Sequence, residues 1–218
     1  MIAAGAFVDA LRFIPAHATL LLDKSGQTAE LAFASLGIAL VLALPLGLWL
    51  GHRHKGLSIA IGISSLGRAL PSIALIGIGI GVLGIGFWNL SAALVVLAIP
   101  PILTNAYFGV ADVDRDAVEA GRGMGLTELQ ILTRIELPLG LPLLLAGVRI
   151  GAVFVIATAT LAGVVSGGGL GDIMARPVTY GLAGTIAAAL CVSAIALLTS
   201  LALALAQRAA FRRMAPNA

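Results

Sequence analysis

Charge is scarce in this chain: Lys, Arg, Asp and Glu make up 11% of its 218 residues against 60% hydrophobic ones, and the mean hydropathy is +1.08. That leaves too little polar surface to cover a soluble globule, so the expected solvent is lipid. Cysteine occurs once, as Cys191 inside an apolar run. An intramolecular disulfide and a Cys-based metal site are excluded, and the thiol reads as inert and buried. No basic stripe interleaved with aromatics is present, so nucleic acid is not an expected partner. Neither H-E-x-x-H nor G-x-S-x-G occurs, which leaves an intramembrane enzyme without a visible reactive set. A G-x-x-x-x-G-K-[ST] phosphate loop is absent too. Gly79, Gly81 and Gly84 do match G-x-G-x-x-G, but inside an apolar run, where glycines more often permit close helix packing, as Gly77 with Gly81 or Gly47 with Gly51 could at four-residue spacing. His17, His52 and His54 lack partners at metal-ligand spacing and read as solvated, so no metal site is expected.

What the chain has in quantity is long apolar stretches. In hydrocarbon every backbone N–H and C=O must be paired within the segment or in a closed barrel, and unbroken apolar runs fit helices rather than alternating barrel strands. The fold class is therefore all-α and polytopic. Runs long enough to span, about 20 residues, lie at about Ala29–Leu50, Leu57–Gly86, Leu90–Val110, Leu139–Val165 and Leu182–Ala206. The second is over-long and interrupted by Arg68 and Pro71, which predicts a short piece leading into a broken helix. Ahead of the first span, residues 1–28 do not resemble a cleavable signal, since their early charges are Asp9 and Arg12 and no compact apolar core precedes a cleavage site. Phe7, Leu11 and Ile14 fall at helical spacing, which predicts an amphipathic helix lying in the membrane interface.

Basic residues set the orientation. Arg53 and Lys55 follow the first span, Arg115, Arg122 and Arg134 occupy the third loop, and Arg208, Arg212 and Arg213 follow the last span, whereas the second loop is uncharged and the fourth carries only Asp172 and Arg176. With five spans the basic segments share one side, so the N-terminus is expected outside and the C-terminal tail, 207–218, in the cytoplasm. Trp49 and Trp88, near span ends, read as interface anchors.

The third loop departs from the chain's own composition, holding nine of its 23 charged residues between Val110 and Leu139. Asp114 can cap a helix running through Arg122, with Asp116 complementing its dipole. Gly121, Gly123 and Gly125 then break the helical run. Thr127 and Gln130 have capping-box spacing for a second helix, which Pro138 would bring to a close. The segment 111–138 thus predicts a helix-turn-helix elbow on the cytoplasmic face.

Glu119-Ala120-Gly121-Arg122-Gly123-Met124-Gly125, followed by Ile135-Glu136-Leu137-Pro138, resembles the EAA loop of ABC-importer permeases, with Gly121 in place of the second Ala. The resemblance extends through Leu70–Leu75, Pro100–Asn105, Ala157–Leu161 and Gly167–Gly171, covers roughly Gly51 to Leu205, and is strongest to the osmoprotectant branch that imports glycine betaine, choline, carnitine or proline. The resemblance implies a permease fold whose EAA loop is a coupling helix seated in a cytoplasmic ABC ATPase, with Glu119, Ala120, Gly121, Arg122, Gly125, Leu137 and Pro138 as the coupling residues. It also implies an extracytoplasmic substrate-binding protein and a second permease, either another copy or a paralogue. ATP and Mg would be used by the partner; this chain would bind no cofactor and would not itself be an enzyme.

Candidates for the translocation path are Arg68, costly if turned to lipid, and the polar or helix-breaking residues Pro71, Asn105, Tyr107, Thr158 and Thr160. For the hydroxyls and the amide, interhelical hydrogen bonding is the commoner use. Arg149 could lie at the cytoplasmic boundary. Methionine-type importers have similarly short permeases and remain an alternative. A secondary transporter would show internal repeats with paired broken helices, and only the one strong break at Pro71 is visible.

Overall fold

The computed structural model describes residues 2–56, 58, 62, 65 and 71–214, with side chains given for those between 5 and 209 except Leu83. Among them there is no strand. Nine α-helices follow in order: α1 (Ile2–Ala16), α2 (Ala18–His52), α3 (Ser72–Leu83), α4 (Phe87–Ala111), α5 (Arg115–Gly123), α6 (Glu128–Ile131), α7 (Leu137–Ser166), α8 (Gly169–Ala175) and α9 (Pro177–Met214), with a π-helical turn, Leu132–Glu136, joining α6 to α7.

Among the described residues four helical stretches are long and apolar enough to cross a membrane: Ala18–His52, Phe87–Ala111, Glu128–Ser166 and Pro177–Ala209. The second expected span, Leu57–Gly86, is represented among the described residues by α3, only 12 residues long, which Pro71 opens. Pro71 has φ −63°, the value a first helical turn needs, and its carbonyl accepts from Ala74 and Leu75. Arg68 lies outside the described residues. The first span begins at Ala18 rather than Ala29, because nothing in Asp23–Thr28 stops a helix and their polar side chains find partners. At the other end α9 is broken at Gly181 (φ 66°, ψ 178°), so its long limb starts at Leu182, where the last span was expected.

The chain divides into two compact units. The first comprises Met1–Leu36, Pro71–Val95 and Ala152–Thr199. Here Ala10 of α1 packs with Leu21, Leu170, Ile173, Ala187 and Ala188, and Phe13 and Ile14 lie against that cluster. Phe7, Val8 and Leu11 on the same helix are open. The start of α8 is tied to α2: Gln27 Oε1 accepts from Gly169 N–H and Thr28 Oγ1 from Leu170 N–H, each at 2.9 Å. Asp172 is buried and bonded by Lys24 Nζ at 2.9 Å, while its other oxygen faces Arg176 Nε at 2.8 Å as an ion pair outside hydrogen-bond angles. Such a pair need not outdo apolar packing, but removing one partner strands a buried charge.

The second unit comprises Gly37–Leu70, Val96–Gly151 and Ser200–Ala218. Without a hydrophobic drive between helices in lipid, small residues that let backbones approach supply the contact. A Cβ on Gly47 would sit 2.7 Å from Ala106 Cβ, one on Gly51 would sit 2.5 Å from the Tyr107 carbonyl, and one on Gly140 would fall inside the Gly109 carbonyl. The four-residue pair Gly47 and Gly51 is therefore a packing seam. For Gly77 and Gly81, with the same spacing in α3, none of the described residues comes within 4 Å of their Cβ positions.

A candidate coupling elbow and the residues around it

The charged segment after α4 folds as its local chemistry dictates. Asp114 caps α5 by accepting from Asp116 N–H at 3.0 Å, and Asp116 sits in the first turn, where a carboxylate favours the helix dipole. Gly121 and Gly123 stay helical, so only Gly125, at φ +81°, makes the break. Leu126 N–H reaches back to Gly121 O at 3.1 Å and closes the turn. Thr127 and Gln130 then form a complete capping box on α6. Val118, Gly121 and Ile131 are buried, so the two limbs lean on each other along one apolar seam.

The expectation that Pro138 ends the second helix is corrected. After α6 the chain widens into the π-turn, in which Leu137 N–H donates to Leu132 O five residues back. A π-turn moves the preceding carbonyls out of register with the proline ring, which lacks a donor and would clash in a regular α-turn. The helix thus runs through Pro138 into α7, and the elbow joins a long apolar helix without a loop.

Of the expected coupling residues, Glu119, Ala120, Arg122 and Gly125 are exposed, Gly121 is buried, and Leu137 and Pro138 are half-buried. Met124 and Leu129, which sequence reading did not single out, present their side chains openly at the bend. Arg122 meets Glu128 through Nε and Nη2 at 3.3 Å. That hydrogen bond holds the Glu128 carboxyl below its usual range, and Glu128 in turn raises the guanidinium of Arg122. Both groups are open to water, so the pair orients the elbow more than it stabilises it.

The reading of His52 as a solvated loop residue is also corrected. Its side chain is 8% exposed; Nδ1 lies 2.5 Å from Oε2 of the buried Glu136, and Nε2 lies 3.3 Å from Oε2 of Glu128. The sequence signal for this was a carboxylate one residue before an apolar helix, which has to find a partner when buried. A cavity of about 290 Å³ borders Glu136, Glu119, Arg122 and His54, and another of about 560 Å³ borders Trp49, Arg53, His52 and Leu129. Arg53 stacks over Trp49 at 5.9 Å from the ring centre.

The candidates for a translocation path are not gathered into either cavity. Asn105 Nδ2 donates to Pro101 O at 2.7 Å, Thr158 Oγ1 to Phe154 O at 2.8 Å and Thr160 Oγ1 to Ile156 O at 3.3 Å, each four residues back on its own helix. Tyr107 is buried edge-on against Phe108, and Pro71 is exposed. Arg149 Nε donates to Ser200 Oγ at 2.7 Å.

A helical chain of this kind, with an elbow inserted before its fourth long apolar run, is the architecture of importer permeases. Residues 43–216 match the family described as binding-protein-dependent transport system inner membrane component, and the chain belongs to that family. It is therefore a membrane-embedded subunit of an ABC importer. It is 33% identical over 162 residues to the glycine betaine/carnitine/choline transport system permease protein OpuCB of Bacillus subtilis (strain 168), covering 74% of this chain and 75% of that one. To the carnitine transport permease protein OpuCB of Listeria monocytogenes it is 37% identical over 152 residues, covering 70% of each. Among solved structures, an inward-facing form of the MetNI methionine ABC transporter matches with a TM-score of 0.75 and 25% identity over 88% of this chain and 96% of that one.

Proposed function

We propose that this chain is the permease subunit of an ATP-driven importer for osmoprotectants such as glycine betaine, choline, carnitine or proline, and that residues 117–137 are its dock for a cytoplasmic ATPase. The observation that carries the docking role is the elbow itself. It is fixed internally by a helix cap, a capping box, a left-handed glycine and a buried seam, yet it leaves Glu119, Arg122, Met124 and Leu129 open. A rigid projecting bend continuous with a spanning helix can turn the motion of a nucleotide-driven partner into movement of α7. ATP and Mg belong to that partner, an extracytoplasmic binding protein delivers substrate, and a second permease completes the pathway. The identity to carnitine and choline permeases, 33–37%, favours the osmoprotectant class over the methionine class, represented by a structural relative at 25%.

In this reading the N-terminus is outside, the basic ends near Arg53, Arg122 and Arg208 face the cytoplasm, and α1 lies along the interface with Phe7 and Leu11 toward lipid. Arg68 and Pro71, with Asn105, Tyr107, Thr158 and Thr160, border the path. The test is a reconstituted complex in which Glu119→Lys leaves the permease inserted but removes hydrolysis stimulated by loaded binding protein, while wild type takes up labelled glycine betaine in competition with choline and carnitine. Wild-type coupling in Glu119→Lys refutes the dock, and competition by methionine alone refutes the substrate class.

A further inference from the structure

Glu136 is the one carboxylate of the elbow withdrawn from water, at 2% exposure, and neither a helix dipole nor a backbone donor accounts for it. An unpaired buried carboxylate is disfavoured strongly enough that a partner has to be present. The partner comes from α2: the His52 imidazole, in the last residue of that helix, sits between Glu136, the last residue of the π-turn, and Glu128, the first residue of α6. Its Nδ1 is hydrogen-bonded with Glu136, and its Nε2 lies 3.3 Å from Oε2 of Glu128. Glu128 in turn holds Arg122 on α5. One side chain thereby touches both ends of the segment joining the bend to α7, and passes on to the other limb through a second ion pair.

We infer that His52 is a positioning residue that straps the elbow to the end of α2, so that displacement of the elbow pulls on α2 as well as on α7. The inference rests on the reading of the elbow as the ATPase dock. His52 meets the elbow at two points, the first residue of α6 and the last of the π-turn, so movement of either relative to α2 has to disturb one of these contacts.

The test uses the whole complex in proteoliposomes, with ATP hydrolysis measured with and without binding protein loaded with glycine betaine, and uptake counted per ATP. His52→Leu, outside the dock, is expected to copurify with the ATPase at wild-type yield and keep basal hydrolysis, while stimulation by the loaded binding protein falls at least about fivefold in His52→Leu and in Glu136→Gln alike. His52→Gln, whose amide can serve one carboxylate, should fall between. The double variant His52→Leu with Glu136→Gln should be no worse than either single change, since partners in one contact are not additive. Wild-type stimulation in the single variants, or a double variant showing the product of the two separate losses, overturns the strap. Should His52→Leu fail to insert, the two Gln variants, which keep size and polarity, decide the matter. If Glu119→Lys uncouples the complex while the His52 variants do not, only the strap fails; if Glu119→Lys couples normally, the dock itself is wrong.

Discussion

Replacing Gly125 isolates a purely conformational cost. The residue sits at φ +81°, yet a Cβ built there meets nothing within 4 Å; Gly123, two residues earlier, has equally open space but ordinary helical φ. Bulk is therefore not what position 125 rejects, only the left-handed backbone, which disfavours an alanine by about 1–2 kcal/mol. At position 123, in the last turn of α5, alanine should gain up to about 0.5–1 kcal/mol through helix propensity. In a chain of this size about 1 kcal/mol moves the thermal midpoint by about 2–4 °C. Purified protein in detergent should thus melt about 2–8 °C lower for Gly125→Ala, less so for Gly125→Asn, whose short side chain tolerates this region. Gly125→Val should be the worst, and Gly123→Ala should be neutral or higher. Because about 1.4 kcal/mol is tenfold in a local equilibrium, the same order should appear in substrate-stimulated hydrolysis of the complex. Equal effects of alanine at 123 and 125, or a ranking by side-chain volume without regard to asparagine, refutes the reasoning.

Gly140→Ala should lower stability by about 1–3 kcal/mol, the usual cost of overpacking, because its Cβ enters the Gly109 carbonyl, while Gly77→Ala, facing open space, should not; thermal midpoints of the two variants decide this. In a Cys191→Ser background, cysteines at the exposed positions Lys55 and Leu129 should be shielded from an impermeant thiol reagent in intact cells, and cysteines at Ile85 and Val178 should react; labelling at 129 from outside ends the proposed orientation.

Much of the elbow was legible in the sequence because its determinants are local. The Asp114 cap, the Thr127–Gln130 capping box and the Gly125 bend each join groups within three residues, so the chain need not know where anything else lies. The helical class was equally legible, since the apolar excess and the demand for internal pairing of the backbone in lipid leave few alternatives. Pro138 shows where local rules mislead: proline is a stop signal in a regular helix, but a π-turn ahead of it, stabilised by contacts on either side, lets the helix continue.

Tertiary structure decided the rest. Gly47 and Gly51 have the same spacing as Gly77 and Gly81, yet among the described residues the first pair is the one that meets another helix, because spacing sets which side of a helix is small but not what that side faces. His52 looked like a solvated loop residue and Glu136 like one charge among many; they lie 84 residues apart and become partners only when α2 ends beside the π-turn. Lys24 with Asp172, 148 residues apart, and Thr28 with Leu170, 142 apart, follow the same logic. A buried charge must be paired, which the sequence can announce, but the choice of partner belongs to the packing of helix faces, for which no local periodicity carries information.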